Sequence, residues 1–129
     1  MNGAINSFED LKVYKLSREL RKEISGLVRK LPGCEQYNLV SQLRRAGQSV
    51  TSNIAEGYGR FHYQENIQFC RISRGSLYEI IDLFNACSDE DYIGQEELEK
   101  LKEFTLRCVQ LLNGYIRMLA KKKAGESNK

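Results

Sequence analysis

The chain has 129 residues, 41% of them apolar, with one proline, no tryptophan and a net charge of +3. That length suits one domain able to bury a core without staples, and the abundance of Leu, Ile, Glu, Lys and Arg points to an all-helical class. No apolar run is long enough to cross a bilayer, and the mild net charge alone implies no polyanionic partner.

Residues 1–6 read as a loose leader. Ser7 followed by Asp10 is a Ser-x-x-Asp start that resembles a capping box. It predicts a first helix over about 8–31, with Val13, Leu16, Leu20, Ile24, Leu27 and Leu31 on its inner stripe. Pro32-Gly33 ends this helix, because proline cannot continue the hydrogen-bond ladder. A second helix is predicted over 35–57, with the charge of Glu35 suited to its N-terminus. Wound at about 100° per residue, Leu39, Leu43, Ala46, Val50 and Ile54 form its core stripe. Arg45, Ser49, Ser52 and Glu56 form a polar stripe, with Asn53 at its edge. Gly57 sits where a left-handed cap is wanted.

A short link over residues 58–62 leads to a third helix over 63–88. It carries two adjacent apolar stripes. One is Ile67, Cys70, Leu77, Ile81 and Phe84; the other is Phe69, Ile72, Ile80, Leu83 and Cys87. Gly75 inside it costs about 1 kcal/mol relative to alanine, and a close helix–helix approach at Gly75-Ser76 explains its presence. After an acidic turn, a fourth helix is predicted over 95–122. Glu96 and Glu97 in its first turn and Lys121, Lys122 and Lys123 at its end both suit the helix dipole. Leu98, Leu101, Thr105, Cys108, Leu112, Tyr115 and Leu119 form its seam, and residues 124–129 are expected to fray.

Four amphipathic helices with short connections predict a single-domain, all-α, up-down-up-down antiparallel four-helix bundle. The last two helices are more apolar than a lone bundle requires. Phe69, Ile72, Leu83, Phe104 and Leu111 are therefore assigned to a homo-oligomer interface. The four cysteines form no CxxC pair, and three lie in apolar helical patterns, so they read as reduced, buried thiols of a cytoplasmic protein. Cys34 sits beside the Pro32-Gly33 turn and reads as exposed.

Charge is distributed unevenly. Residues 75–104 hold nine acids against two bases, and residues 105–129 hold six bases against one acid. In an alternating bundle the end bearing Gly57 collects Lys12, Lys15, Arg60, Arg71, Arg74, Arg117, Lys121, Lys122 and Lys123. The opposite end collects Asp89, Glu90, Asp91, Glu96, Glu97 and Glu99. Helix dipoles explain part of this, but not Arg60, Arg71 and Arg74 near a helix N-terminus, where cations are disfavoured. These basic residues, with Arg45, are the candidate phosphate contacts. Tyr58, Phe61 and Tyr63 lie among them and suit either base stacking or a hydrophobic plug over the bundle end.

A polar group, Asn53, Glu56, Arg45, Arg71 and Glu79, reads first as structural. Glu56 would hold an arginine of a neighbouring helix, and Asn53 would cap or bridge, fixing register. Catalysis finds no support. His62 is the sole histidine, no ligand cluster has metal-site spacing, Cys70 lies too far from His62 for a Cys–His pair, and no phosphate-binding glycine loop is present. No cofactor or metal is expected.

The stretch QLRRAGQSVTSNIAEGYGR, with FEDLKVYK before it and FCRISRGSLYE after it, resembles the four-helix-bundle family of 23S rRNA intervening-sequence proteins. Bundle accessory proteins of diversity-generating retroelements are similar. The resemblance covers residues 8 to about 119 and rests on Asn53-Ile54-Ala55-Glu56-Gly57 together with Gly75-Ser76. It implies a four-helix bundle, commonly a ring-shaped pentamer, in a nucleic-acid setting without established catalysis. His62 departs from the family's usual serine cap before the third helix. The expected function is a non-enzymatic oligomer that binds RNA or another nucleic acid through its basic end. The alternative is a protein scaffold for a nucleic-acid enzyme such as a reverse transcriptase.

Overall fold

The computed structural model describes residues 5–127. Four helices form it: α1 (Lys12–Val28), α2 (Leu39–Tyr58), α3 (Tyr63–Asp89) and α4 (Gln95–Ser127), with 3-10 turns at Phe8–Asp10 and Gly33–Glu35. Cross-helix contacts fix their directions. Arg21 pairs with Thr51, and Ile24 lies against Gly47. Gly57 lies against Asn66, Val50 bonds Ser73, and Ser49 bonds Ser76. Gln64 meets Lys123, Asn66 meets Tyr115, and Arg74 meets Asn113. In each series one number rises as the other falls, so consecutive helices run in opposite directions.

The core follows the 3.6-residue stripes. Phe84, Leu20, Ile24, Leu43, Ile54, Leu77, Ile80 and Leu112 are among its fully buried side chains. Each contributes roughly 1.5–3 kcal/mol of apolar burial. Two buried hydroxyls bond main-chain carbonyls: Ser73 Oγ donates to the Val50 carbonyl across to α2, and Thr105 Oγ1 to the Leu101 carbonyl one turn back, both at 2.8 Å.

The helix boundaries depart from expectation at both ends of α1 and at the start of α2. The Ser7–Asp10 capping box forms, but on a 3-10 turn. Leu11 is extended there, with ψ of 131°, and the α-helix begins only at Lys12. This break lets Leu11 fold inward beneath the bundle end. Helix α1 ends at Val28 rather than Leu31, consistent with the steric bias against helical backbone before Pro32. Glu35 does not open α2; it closes the Gly33–Glu35 turn, and α2 starts at Leu39. The last helix runs on to Ser127 instead of fraying from residue 124. Part of the predicted leader and the final two residues lie outside the described residues.

Both glycine assignments are corrected. Gly57 is not a left-handed cap; none of the described glycines has positive φ, and Gly59 closes α2 in right-handed conformation. Gly57 instead permits close approach of α3. A Cβ there would lie 2.7 Å from Asn66 Oδ1 and 2.9 Å from Phe69 Cβ. Gly75, expected at a close approach, is exposed with open space around it.

The second stripe of α3 is also corrected. Leu83, assigned to a subunit interface, is only 6% exposed, and Ile80 and Cys87 are fully buried in the chain's own core. A helix flanked on two sides buries a wider arc than one apolar stripe covers. Of that stripe Ile72 is solvent-facing, at 52% exposure, and Phe69 is half-buried. On α4, Phe104 is half-buried and Leu111 is exposed.

Candidate nucleic-acid interface

The end of the bundle where α2 turns into α3 holds an open cavity of about 410 Å³. Three separate stretches line it: Ile5 and Leu11 from the N-terminal turn, residues 58–66 around the α2–α3 link, and residues 115–122 of α4. Tyr58, Phe61, Tyr63, Tyr115, Met118 and Leu119 give it an apolar, aromatic wall. Arg60, His62 and Lys122 supply polar and cationic groups.

At its base, Asn66 Nδ2 donates to the Tyr115 hydroxyl at 3.1 Å. Asn66 Oδ1 accepts from Cys70 Sγ at 3.5 Å. Burial pushes the Tyr115 hydroxyl pKa above its ordinary value, so the phenol keeps its proton at neutral pH. Sequence reasoning missed Asn66. Its signal was a polar residue one turn before Cys70, on the inward arc of the third helix.

The aromatic residues differ in exposure. Tyr58 and Tyr63 are half-buried and pack against the core as a plug. Phe61 is 92% exposed and touches the His62 ring edge-on at a 4.9 Å centroid distance.

The candidate basic residues divide as well. Lys12 and Lys15 at the start of α1, and Arg117, Lys121 and Lys122 on α4, are exposed. Lys12 and Arg117 also flank a second open cavity of about 420 Å³ between α1 and α4, walled by Leu11, Val13 and Leu111. Lys123 reaches across to Gln64 Oε1. Arg60 is engaged by Glu56 at 3.0 Å and Glu65 at 3.6 Å, and its guanidinium lies 4.8 Å from the Phe69 ring centre. Arg74 donates to Asn113 Oδ1 at 2.8 Å, where it ties α3 to α4. Arg71 is exposed partway along α3. Arg45 lies thirteen residues before the end of α2, roughly 20 Å back from the turn, and does not join the basic end.

The polar motif behaves partly as expected. Asn53 Nδ2 donates to the Ser49 carbonyl and hydroxyl, and Ser76 Oγ donates to the same Ser49 hydroxyl at 2.8 Å. Asn53 thus reaches α3 through Ser49. Glu56 does not bridge helices; it pairs with Arg60 one turn onward, at the surface. Glu79 is exposed and is not brought to this group.

Among the described residues, no group of three or more His, Cys, Asp or Glu side chains is placed to hold a metal ion. No described helix is long and apolar enough to cross a membrane.

No protein of curated function matches the chain significantly. Among solved structures it is similar to a protein of unknown function from the S23 ribosomal protein family of Bacteroides thetaiotaomicron. That similarity has 22% identity, covers 81% of this chain and 95% of the other, and reaches a TM-score of 0.75. At that identity it speaks to the fold. The family model for the 23S rRNA-intervening sequence protein matches residues 9–114. This span runs from the first helical turn well into α4, and the chain belongs to that family.

Proposed function

We propose that the protein is a non-enzymatic, cytoplasmic bundle that binds RNA through its basic end and works as a homo-oligomer, a pentamer by family resemblance. The observation that carries this reading is the polarity of the bundle. Exposed Lys12, Lys15, Arg117, Lys121 and Lys122 gather where α1 begins and α4 ends. Asp89, Glu90, Asp91, Glu96 and Glu97 gather at the opposite end. The family description, with its 23S rRNA setting, supports RNA as the polyanion. Phosphate contacts give salt-dependent, weakly sequence-specific affinity. In a cyclic oligomer the subunits share one direction along the axis, so the basic ends pool at one rim and their fields add.

Filter retention of a structured RNA at two salt concentrations tests the reading. Retention at micromolar protein that falls steeply with salt is expected; no salt-sensitive retention defeats it. Light scattering tests the assembly, and a monomer at tens of micromolar defeats that part.

A second reading, a scaffold for a nucleic-acid enzyme such as a reverse transcriptase, draws on the exposed Ile72, Tyr78 and Leu106 of α3 and α4. Co-purification with such an enzyme by a protein that retains no RNA would favour it.

A further inference from the structure

We infer that the cavity at the basic end receives an unpaired base, so that the protein selects single-stranded or looped RNA over duplex. This rests on the RNA-binding reading above and adds to it the form of RNA recognised. Four observations meet there. The cavity is mostly apolar and aromatic and, at about 410 Å³, falls within the usual size of a small-ligand site. Lys122 lines it, and Lys121 follows the same helical end, so a phosphate beside an inserted base meets a cation. Phe61 is almost wholly exposed while Tyr58 and Tyr63 on either side are packed down. An exposed phenylalanine on a polar turn has no role in core packing, and its ring offers a stacking face to any base. Finally, the Tyr115 hydroxyl accepts from Asn66 and retains its own proton to donate toward a base edge.

A base inside a duplex is stacked on both faces and paired along its edge, so it reaches neither the Phe61 ring nor the Tyr115 hydroxyl. An unpaired base presents all of these surfaces. Lysine–phosphate attraction serves both forms equally, whereas the aromatic cavity serves one.

The test is fluorescence anisotropy with a short unstructured RNA strand and with the same strand annealed to its complement, at matched salt. Single-stranded RNA is expected to bind about tenfold tighter or more. Phe61→Ala is expected to weaken single-strand binding roughly 5- to 100-fold and to leave duplex binding, salt dependence and the circular dichroism spectrum unchanged. The double variant Lys121→Ala with Lys122→Ala is expected to weaken both forms. Salt-sensitive binding with no strand preference, or with no response to Phe61→Ala, overturns the base-insertion proposal alone. No salt-sensitive binding to either RNA overturns the RNA-binding reading and this proposal with it.

Discussion

The two ends of the bundle are built differently. At the acidic end the loops are tied to one another by side-chain hydrogen bonds that converge on buried Glu35. The Tyr92 hydroxyl donates to Glu35 Oε2 at 2.7 Å, Asn38 Nδ2 donates to Glu35 Oε1 at 2.9 Å, and Gln42 Nε2 donates to Asn38 Oδ1 at 2.7 Å. That network joins the α1–α2 connection to the α3–α4 turn. Asp91 within the turn takes the left-handed conformation, with φ of 61°, which aspartate tolerates better than most residues. At the basic end the cross-helix bond from Asn66 to Tyr115 lies beneath the surface, and the α2–α3 link above it carries exposed Phe61 and His62. One end closes its connections with polar bonds, while the other leaves aromatic and cationic groups facing water. The difference places a candidate ligand site at the end whose link, held through Arg60 by Glu56 and Glu65, leaves Phe61 and His62 exposed.

The largest expected effect probes the packed half near the acidic end. Leu83→Glu puts a charge into the chain's own core, at a cost of about 4 kcal/mol or more. Loss of the native circular dichroism signal is expected, not a folded monomer. Ile72→Glu, on the exposed face, is expected to change stability by no more than about 0.5 kcal/mol, so it is the cleaner probe of assembly.

The next contrast sets two glycines of adjacent helices against each other. Gly57→Ala drives a methyl group into Asn66 and Phe69 at the open end. Overpacking of this kind costs about 1–3 kcal/mol, offset in part by the roughly 1 kcal/mol that alanine gains in a helix. Gly75→Ala meets nothing and is expected to stabilise by about 0.5–1 kcal/mol. Opposite shifts of the denaturation midpoint check the pair, and a stabilising Gly57→Ala would remove the close-approach argument.

A smaller effect belongs to the acidic end alone. Hydrogen bonds from Tyr92 and Asn38 hold the Glu35 carboxyl below its ordinary value of 4.5. A carboxyl depressed in the folded state contributes stability above its unfolded pKa and loses it as pH falls through the folded one. Acid melts from neutral pH down past 4.5 are therefore expected to show a loss that Glu35→Gln lacks. Equal acid sensitivity in the two proteins would remove the network's role in holding that end.

The smallest effect is chemical. Burial pushes the Cys70 thiol up to about 12 and the Cys87 and Cys108 thiols up to about 11, while Cys34 is exposed. A thiol reagent is expected to modify Cys34 in the folded protein and all four cysteines only after denaturation. Rapid modification of Cys70 would show that the open end breathes down to Asn66.

The sequence by itself determined the four helices, their order and most of the core, because a 3.6-residue apolar period is a local property that survives any arrangement of neighbours. It also determined the segregation of charge, which needs only alternating helix direction. The tertiary structure alone decided what each position faces. Gly57 and Gly75 look equally exceptional in sequence, yet one lies against α3 and the other in open space. Leu83 and Ile72 share a stripe, yet the packing of α3 between α2 and α4 buries the first and exposes the second. Glu35 looks like a helix start until Tyr92, fifty-seven residues later, donates to it. The cavity at the basic end draws on three segments far apart in the chain. No local pattern encodes which distant side chains meet, since that depends on how the helices rotate and pack against one another.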